Sequence, residues 1–166
     1  MRITDIRLYQ FRNHERLQFS PTEGLQYIRG ENAIGKTNIL EAIYLALGGD
    51  YLRSATEKDL IQGGKENAQI ALSVQEDFKR YDIDVRIFRN KNKELYLNGE
   101  RMKSIKEWTS LFPVTSFTPE DLRIVKEGPH YRRKMMDQMS ARCSKIYMDT
   151  LYQYRRYILH RNTLLK

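Results

Sequence analysis

Gly30-Glu31-Asn32-Ala33-Ile34-Gly35-Lys36-Thr37 matches the phosphate-loop pattern G-x-x-x-x-G-K-[ST]. Each fixed position has a physical reason. The two glycines let the backbone wrap tightly, so that its N–H groups turn inward toward phosphate oxygens. Lys36 can place its ammonium between a β- and a γ-phosphate. The Thr37 hydroxyl can coordinate Mg2+, which in turn bridges two phosphates. A helix starting at the end of the loop adds its positive N-terminal end. The flanks agree with that reading. Leu25-Gln26-Tyr27-Ile28 reads as a strand running into Gly30. From Thr37 onward, Ile39, Leu40, Ile43, Tyr44 and Leu47 recur at three- and four-residue spacing, the mark of an amphipathic helix, and Gly48-Gly49 ends it.

Phosphate binding alone is not hydrolysis. Hydrolysis also needs an acid at the end of a strongly apolar strand to hold Mg2+, and a group to orient water. No run of four apolar residues here ends in Asp-Asp or Asp-Glu, and Glu120-Asp121 is separated from its preceding strand by Thr118-Pro119. Ile61-Gln62-Gly63-Gly64-Lys65 superficially resembles an ABC signature, but it lacks the serine and follows the phosphate loop too soon, so it reads as a turn.

Working outward, Ile6 and Leu8, then Leu17 and Phe19, alternate with polar residues as two short strands, and Pro21-Thr22-Glu23-Gly24 punctuates as a turn. After a polar stretch over 50–67, with a short helix around Glu57–Ile61, three alternating runs follow: Ile70/Leu72/Val74, Tyr81/Ile83/Val85/Ile87 and Leu95/Leu97. The gaps between them are too short for crossover helices, so they pair antiparallel. Asn98-Gly99 is a two-residue hairpin turn. Ser104–Leu111 reads as a short helix and Phe112–Phe117 as a strand. Pro129 opens a helix with an apolar side of Met135, Met136 and Met139, which the spacing assigns to a core. A break near Cys143-Ser144 leads to a second helix carrying Tyr147, Leu151, Tyr154, Ile158 and Leu165 at near-heptad spacing. That helix has no stop signal, which predicts a chain cut from something longer, with an apolar stripe that self-associates.

The 166 residues suit one hydrophobic core, and 40% apolar with 30% charged residues excludes disorder. No apolar run approaches the ~18 residues of a membrane span, the amino terminus has no secretory apolar region, and the single Cys143 excludes an intrachain disulfide and reads as a half-buried helix residue. These features predict a cytoplasmic protein. The net charge is +8, and residues 129–166 carry nine Lys/Arg against two acids, whereas residues 1–128 are nearly balanced. A one-sided basic segment attracts polyanions such as nucleic acid; it can equally be a solvated helix face. Most of the tyrosines in that stretch (Tyr131, Tyr147, Tyr152, Tyr154, Tyr157) read as helix-packing residues.

Several stretches together resemble the RecF family. They are Phe11-Arg12-Asn13; the phosphate loop with Asn38 and Leu40-Glu41-Ala42-Ile43-Tyr44; Phe117–Leu122; Val125–Pro129 with Arg132-Arg133 and Asp137; Tyr154-Arg155-Arg156; and Arg161–Lys166. The resemblance implies an α/β fold, the ABC-type head of a P-loop NTPase. It would have a mixed sheet around the phosphate-loop helix, an antiparallel β block over residues 1–128, and the opening helices of a helical second lobe over 129–166. It implies ATP and Mg2+ as cofactors, held by Gly30 through Asn38, with Thr37 on the metal and Arg12 and Asn13 near the phosphates, Arg12 as a charge clamp. RecF proteins dimerise around ATP, bind DNA at gaps or single-strand/double-strand junctions, and act with RecO and RecR in repair, replication, recombination and the SOS response. Arg132, Arg133, Lys134, Arg155, Arg156 and Arg161 are the candidate DNA contacts. The family's signature motif, Walker B acids and switch histidine have no counterpart here, so these residues alone are not expected to hydrolyse ATP. Ile34 stands where the family often has glutamine, a tolerable change at a position that contributes backbone. The loop Gly48–Arg53 departs from the family, and only Arg53 is carried over from it. No glutamine follows Phe117, which leaves a sensing role for Thr118 or Glu120 unsupported. The competing reading is a self-contained small P-loop kinase or nucleotide-binding module, which requires parallel strands joined by helices.

Overall fold

A computed structural model describes residues 1–49, 56–122, 125 and 128–165, with Ile105, Lys106, Ser110, Glu120, Lys134, Gln138, Arg142 and Lys145 described by backbone only. Arg53, Lys126, Glu127 and Lys166, as well as the side chain of Lys134, thus lie outside the described residues. The chain divides into two units, Met1–Thr115 and Ser116–Lys166. The segment Ser116–Gly128 therefore groups with the helices that follow it.

The first unit is built on alternation. Strands β1 (Arg2–Phe11), β2 (His14–Phe19), β3 (Asn67–Glu76), β4 (Lys79–Phe88), β5 (Glu94–Leu97) and β6 (Glu100–Arg101) form one sheet in the order β2-β1-β3-β4-β5-β6. Every described pairing is antiparallel, so the mixed pairing expected around the helix is absent among the described residues. Register aligns the apolar positions into rows: Ile6 faces Leu72, which faces Ile83, and Leu8 faces Ile70, which faces Val85. All six side chains are buried. Each contributes about 2 kcal/mol relative to exposure. On the opposite face the alternation places polar residues, where Gln69 Nε2 donates to Asp84 (2.8 Å) and Ser73 Oγ donates to Asp82 (2.6 Å). The β5–β6 turn has Asn98 and Gly99 at φ 51° and 83°, as a two-residue hairpin demands.

Helix α1 (Lys36–Ala46) covers the apolar face with Ile39, Ala42, Leu45 and Ala46. The two alanines let its backbone approach the sheet closely, while Leu40, expected on the apolar side, is half exposed. Helix α2 (Ile105–Leu111) is capped by Ser104, whose Oγ accepts from the Glu107 amide (3.3 Å). It delivers Trp108 to the core, where Phe112 meets both Trp108 and Tyr81 edge-on.

Two expected strands do not form among the described residues. Leu25–Ile28 is in no ladder, and Leu25 and Tyr27 are each 75% exposed. Its side chains alternate suitably, but a strand exists only where a neighbour takes up its N–H and C=O groups. Phe112–Phe117 also takes no place in the sheet. Its first residue caps α2 and is spent in the core, and Pro113 has no N–H for a ladder.

The second unit contains α3 (Pro129–Cys143) and α4 (Lys145–Leu164). Pro129 occupies the first turn of α3. Ser144 breaks the run and caps α4, its Oγ accepting from the Tyr147 amide (3.2 Å). The methionines assigned to a core are exposed (Met136 is 67% exposed), as are Tyr152, Tyr154, Tyr157 and Cys143. Two helices bury only the seam between them, so periodicity marks more apolar surface than this hairpin can cover. The seam is fixed by Tyr147, whose hydroxyl donates to Asp137 (2.7 Å).

Candidate phosphate-binding site

The Gly30–Thr37 loop closes on itself through its own lysine. Lys36 Nζ donates to the carbonyls of Gly30 (2.7 Å) and Glu31 (2.6 Å), so the ammonium spans the mouth of the loop. Gly35 is the N-cap of α1 with φ 104°, a left-handed conformation that glycine adopts without strain. Its carbonyl accepts the first helical amides, those of Asn38 (2.9 Å) and Ile39 (3.2 Å). The amides at the start of α1 have no acceptor within the helix and present a positive end toward the loop. Thr37 and Lys36 open onto a groove lined also by Thr22, Gln26, Ile28 and Leu40.

The tip of the β1–β2 hairpin lies against this loop. Asn13 Nδ2 donates to the Ala33 carbonyl (3.3 Å), and Asn38 Nδ2 donates to Asn13 Oδ1 (2.8 Å). His14 Nε2 lies 3.1 Å from the Gly35 carbonyl oxygen. A Cβ on Gly35 would come within 2.5 Å of His14 Nε2 and 2.7 Å of Asn13 Nδ2, so a side chain there would displace the ends of both residues, in addition to the strain of the positive φ.

Arg12 is anchored from the same tip. Its Nε and Nη2 each donate to the Glu41 carboxylate at 3.0 Å, and Nη1 donates to the Asp59 carbonyl (3.0 Å). The pair is well covered, with side-chain exposures of 17% and 2%. The 3₁₀ turn Glu57–Leu60 that supplies this carbonyl is closed by Thr56 and Asp59 in a reciprocal cap. Hydrogen bonds from the Thr56 amide and hydroxyl hold the Asp59 carboxyl below its ordinary value. The segment Gln62–Lys65 is a turn closed by the Lys65 amide on the Gln62 carbonyl (3.0 Å), as read from the sequence.

The structure thus brings Gly30 through Asn38 together with Asn13, and adds two residues that the sequence reading did not single out. His14 follows directly on the recognised Arg12-Asn13, so its place at the turn was the available signal. Glu41 sits two residues past the apolar Ile39 on a helix and is concealed by being acidic on a buried face. The residues fit a nucleotide triphosphate through a backbone cradle plus one ammonium. Thr37 would offer its hydroxyl to a divalent cation; among the described residues no cluster of three or more His, Cys, Asp or Glu is placed to bind one. In the second unit, Arg132, Arg133, Arg155, Arg156 and Arg161 are exposed, and Arg155 approaches Asp137 at 3.7 Å. Thr118 is engaged locally: its amide and hydroxyl donate to Asp121 at 2.6 and 2.9 Å.

A phosphate loop feeding a helix that packs on an antiparallel sheet defines the ABC-type P-loop head. The chain belongs to the RecF/RecN/SMC N-terminal domain family, whose model matches residues 2–147. It is 37% identical over its whole length to the DNA replication and repair protein RecF of Clostridium novyi (strain NT), and 36% identical to that of Lachnospira eligens. It spans 46% of the length of each of these relatives. Among solved structures it is similar to the recombination mediator RecF with ATPrS (TM-score 0.92, 34% identity, 99% of this chain and 44% of the other). It is also similar to RecF with ATP (TM-score 0.88, 35% identity, 99% and 46%). An SMC ATPase structure at 22% identity and TM-score 0.64, covering 82% of this chain and 98% of the other, shares the fold. Among the described residues no helix is long and apolar enough to cross a membrane.

Proposed function

We propose that this chain is the ATP-binding part of a RecF-like DNA repair protein. The observation that carries the proposal is the loop itself: Lys36 bridges its mouth and the carbonyls of Ala33 and Gly35 are held on its outer side. ATP replaces the carbonyls of Gly30 and Glu31 as the partner of Lys36, and the amides of the loop and of the first turn of α1 receive the β-phosphate. Thr37 is the residue that would hold Mg2+ with the bound nucleotide, where the ion would supply charge neutralisation. Arg12 can serve as the charge clamp that the family resemblance assigns to it only by releasing Glu41; Asn13 acts through the loop, on the Ala33 carbonyl. The family resemblance assigns residues 1–128 to the ATP-binding lobe and 129–166 to the opening of a helical lobe, whereas the compact units divide between Thr115 and Ser116. DNA contact through Arg132, Arg133, Lys134, Arg155, Arg156 and Arg161, ATP-dependent self-association, partnership with RecO and RecR, and slow hydrolysis belong to the whole protein in this proposal. A complete small P-loop kinase is disfavoured, because such enzymes rest on parallel strands and every described pairing here is antiparallel.

Competition against a fluorescent ATP analogue tests the reading. ATP and ADP should displace the probe and AMP should not, because the cradle engages the β-phosphate. Equal competition by AMP would place the binding energy in the nucleoside and contradict a phosphate-loop site.

A further inference from the structure

The amides of a phosphate loop must face its interior; at Gly35 the carbonyl that sets this is shared between the Asn38 and Ile39 amides of α1 and the His14 ring, and at Ala33 it is taken by Asn13. In a trans peptide unit the C=O and the following N–H point in opposite directions. Whatever fixes the carbonyl of residue 33 therefore aims the amide of residue 34, and the carbonyl of residue 35 aims the amide of residue 36. Both carbonyls are contacted from outside the loop by neighbouring side chains of one hairpin tip: Asn13 on Ala33 and His14 on Gly35. Asn13 is itself steadied by Asn38. The tip is fastened independently by the Arg12–Glu41 pair and by the Arg12 amide, which donates to the Leu60 carbonyl at 2.7 Å.

From this geometry we infer that His14 is a positioning residue for nucleotide binding, acting through the Gly35 carbonyl to hold the Lys36 amide toward the phosphate. The inference rests on the ATP-binding reading above. Since a carbonyl oxygen only accepts, His14 must carry its proton on Nε2. The residue touches the loop from behind, so its contribution is preorganisation and not contact with the ligand.

The experiment measures ATP affinity by calorimetry for the wild type, His14→Leu and His14→Gln. Gln places an amide N–H close to where Nε2 stands; Leu fills space without a donor. His14→Leu should lose roughly five- to tenfold in affinity, the worth of about one hydrogen bond, and His14→Gln should recover most of it. A His14→Leu protein that binds ATP like the wild type, or a Gln variant as impaired as the Leu variant, would overturn the inference. Nitrogen chemical shifts of the wild-type imidazole give a second reading that needs no variant. A proton on Nε2 is expected, and a neutral ring with a bare Nε2 would overturn the inference even if the variants fail to fold. Failure of the wild type to bind ATP would instead sink the nucleotide reading, leaving the ring tautomer to decide whether His14 holds Gly35.

Discussion

Two side-chain pairs in the first unit have consequences that can be measured one residue at a time. Glu41 is buried on the inner side of α1 and both its oxygens are taken by Arg12. Removing one member of such a pair leaves the other as an uncompensated charge. Glu41→Ala should therefore destabilise the protein by about 3 kcal/mol, read as a shift of the urea midpoint at unchanged slope. A loss below ~1 kcal/mol would mean that Arg12 finds water or another partner. Asp82 gives a pH-dependent counterpart. The Ser73 hydroxyl, and secondarily Arg80, hold its carboxyl below the ordinary value of 3.8. A carboxyl lowered in the folded state contributes stability above the unfolded value, and that contribution is lost as pH falls through the folded one. Ser73→Ala should bring the Asp82 titration, followed by carbon NMR, back up toward 3.8. An unmoved titration would make Arg80 the dominant influence.

At the scale of elements, the turn between β5 and β6 follows from its two residues. Gly99 at φ 83° tolerates no side chain cheaply, and Gly99→Ala should cost about 1 kcal/mol in thermal or denaturant unfolding. A neutral substitution would show that the turn relaxes to another type. The same local chemistry explains how much of the fold was legible. The strands around Ile6, Ile70, Ile83 and Leu95 were readable because one face is buried and the period of two survives. The break at Ser144 was readable because a side-chain cap is a local event. Leu25–Ile28 and Phe112–Phe117 misled because alternation reports suitability for a sheet, whereas pairing depends on a neighbour that local sequence does not name. Met136 and Tyr154 misled for a related reason: helical periodicity marks an apolar face without saying what covers it. The start of α1 at Gly35 was legible because a left-handed backbone there favours glycine. His14 and Glu41 were not, because their roles arise from contacts across 21 and 29 residues of chain.

At the scale of the whole molecule, charge is unevenly placed: the balanced first part carries the phosphate loop and residues 129–166 carry nine of the 29 basic residues. If the helices contact nucleic acid, each neutralised phosphate releases counterions and steepens the salt dependence. Arg155→Glu with Arg156→Glu should weaken DNA binding and lower the logarithmic salt slope by about 2. An unchanged slope would remove α4 from the contact. The central claim, however, concerns the loop, and it is tested most directly by titrating Mg2+ and ATP calorimetrically into the wild type and into Lys36→Ala. The account predicts saturable binding by the wild type and a loss of roughly 10- to 100-fold on removing the charged donor. Wild-type affinity in Lys36→Ala would contradict it, since the ammonium that spans the loop mouth would then play no part in holding the nucleotide.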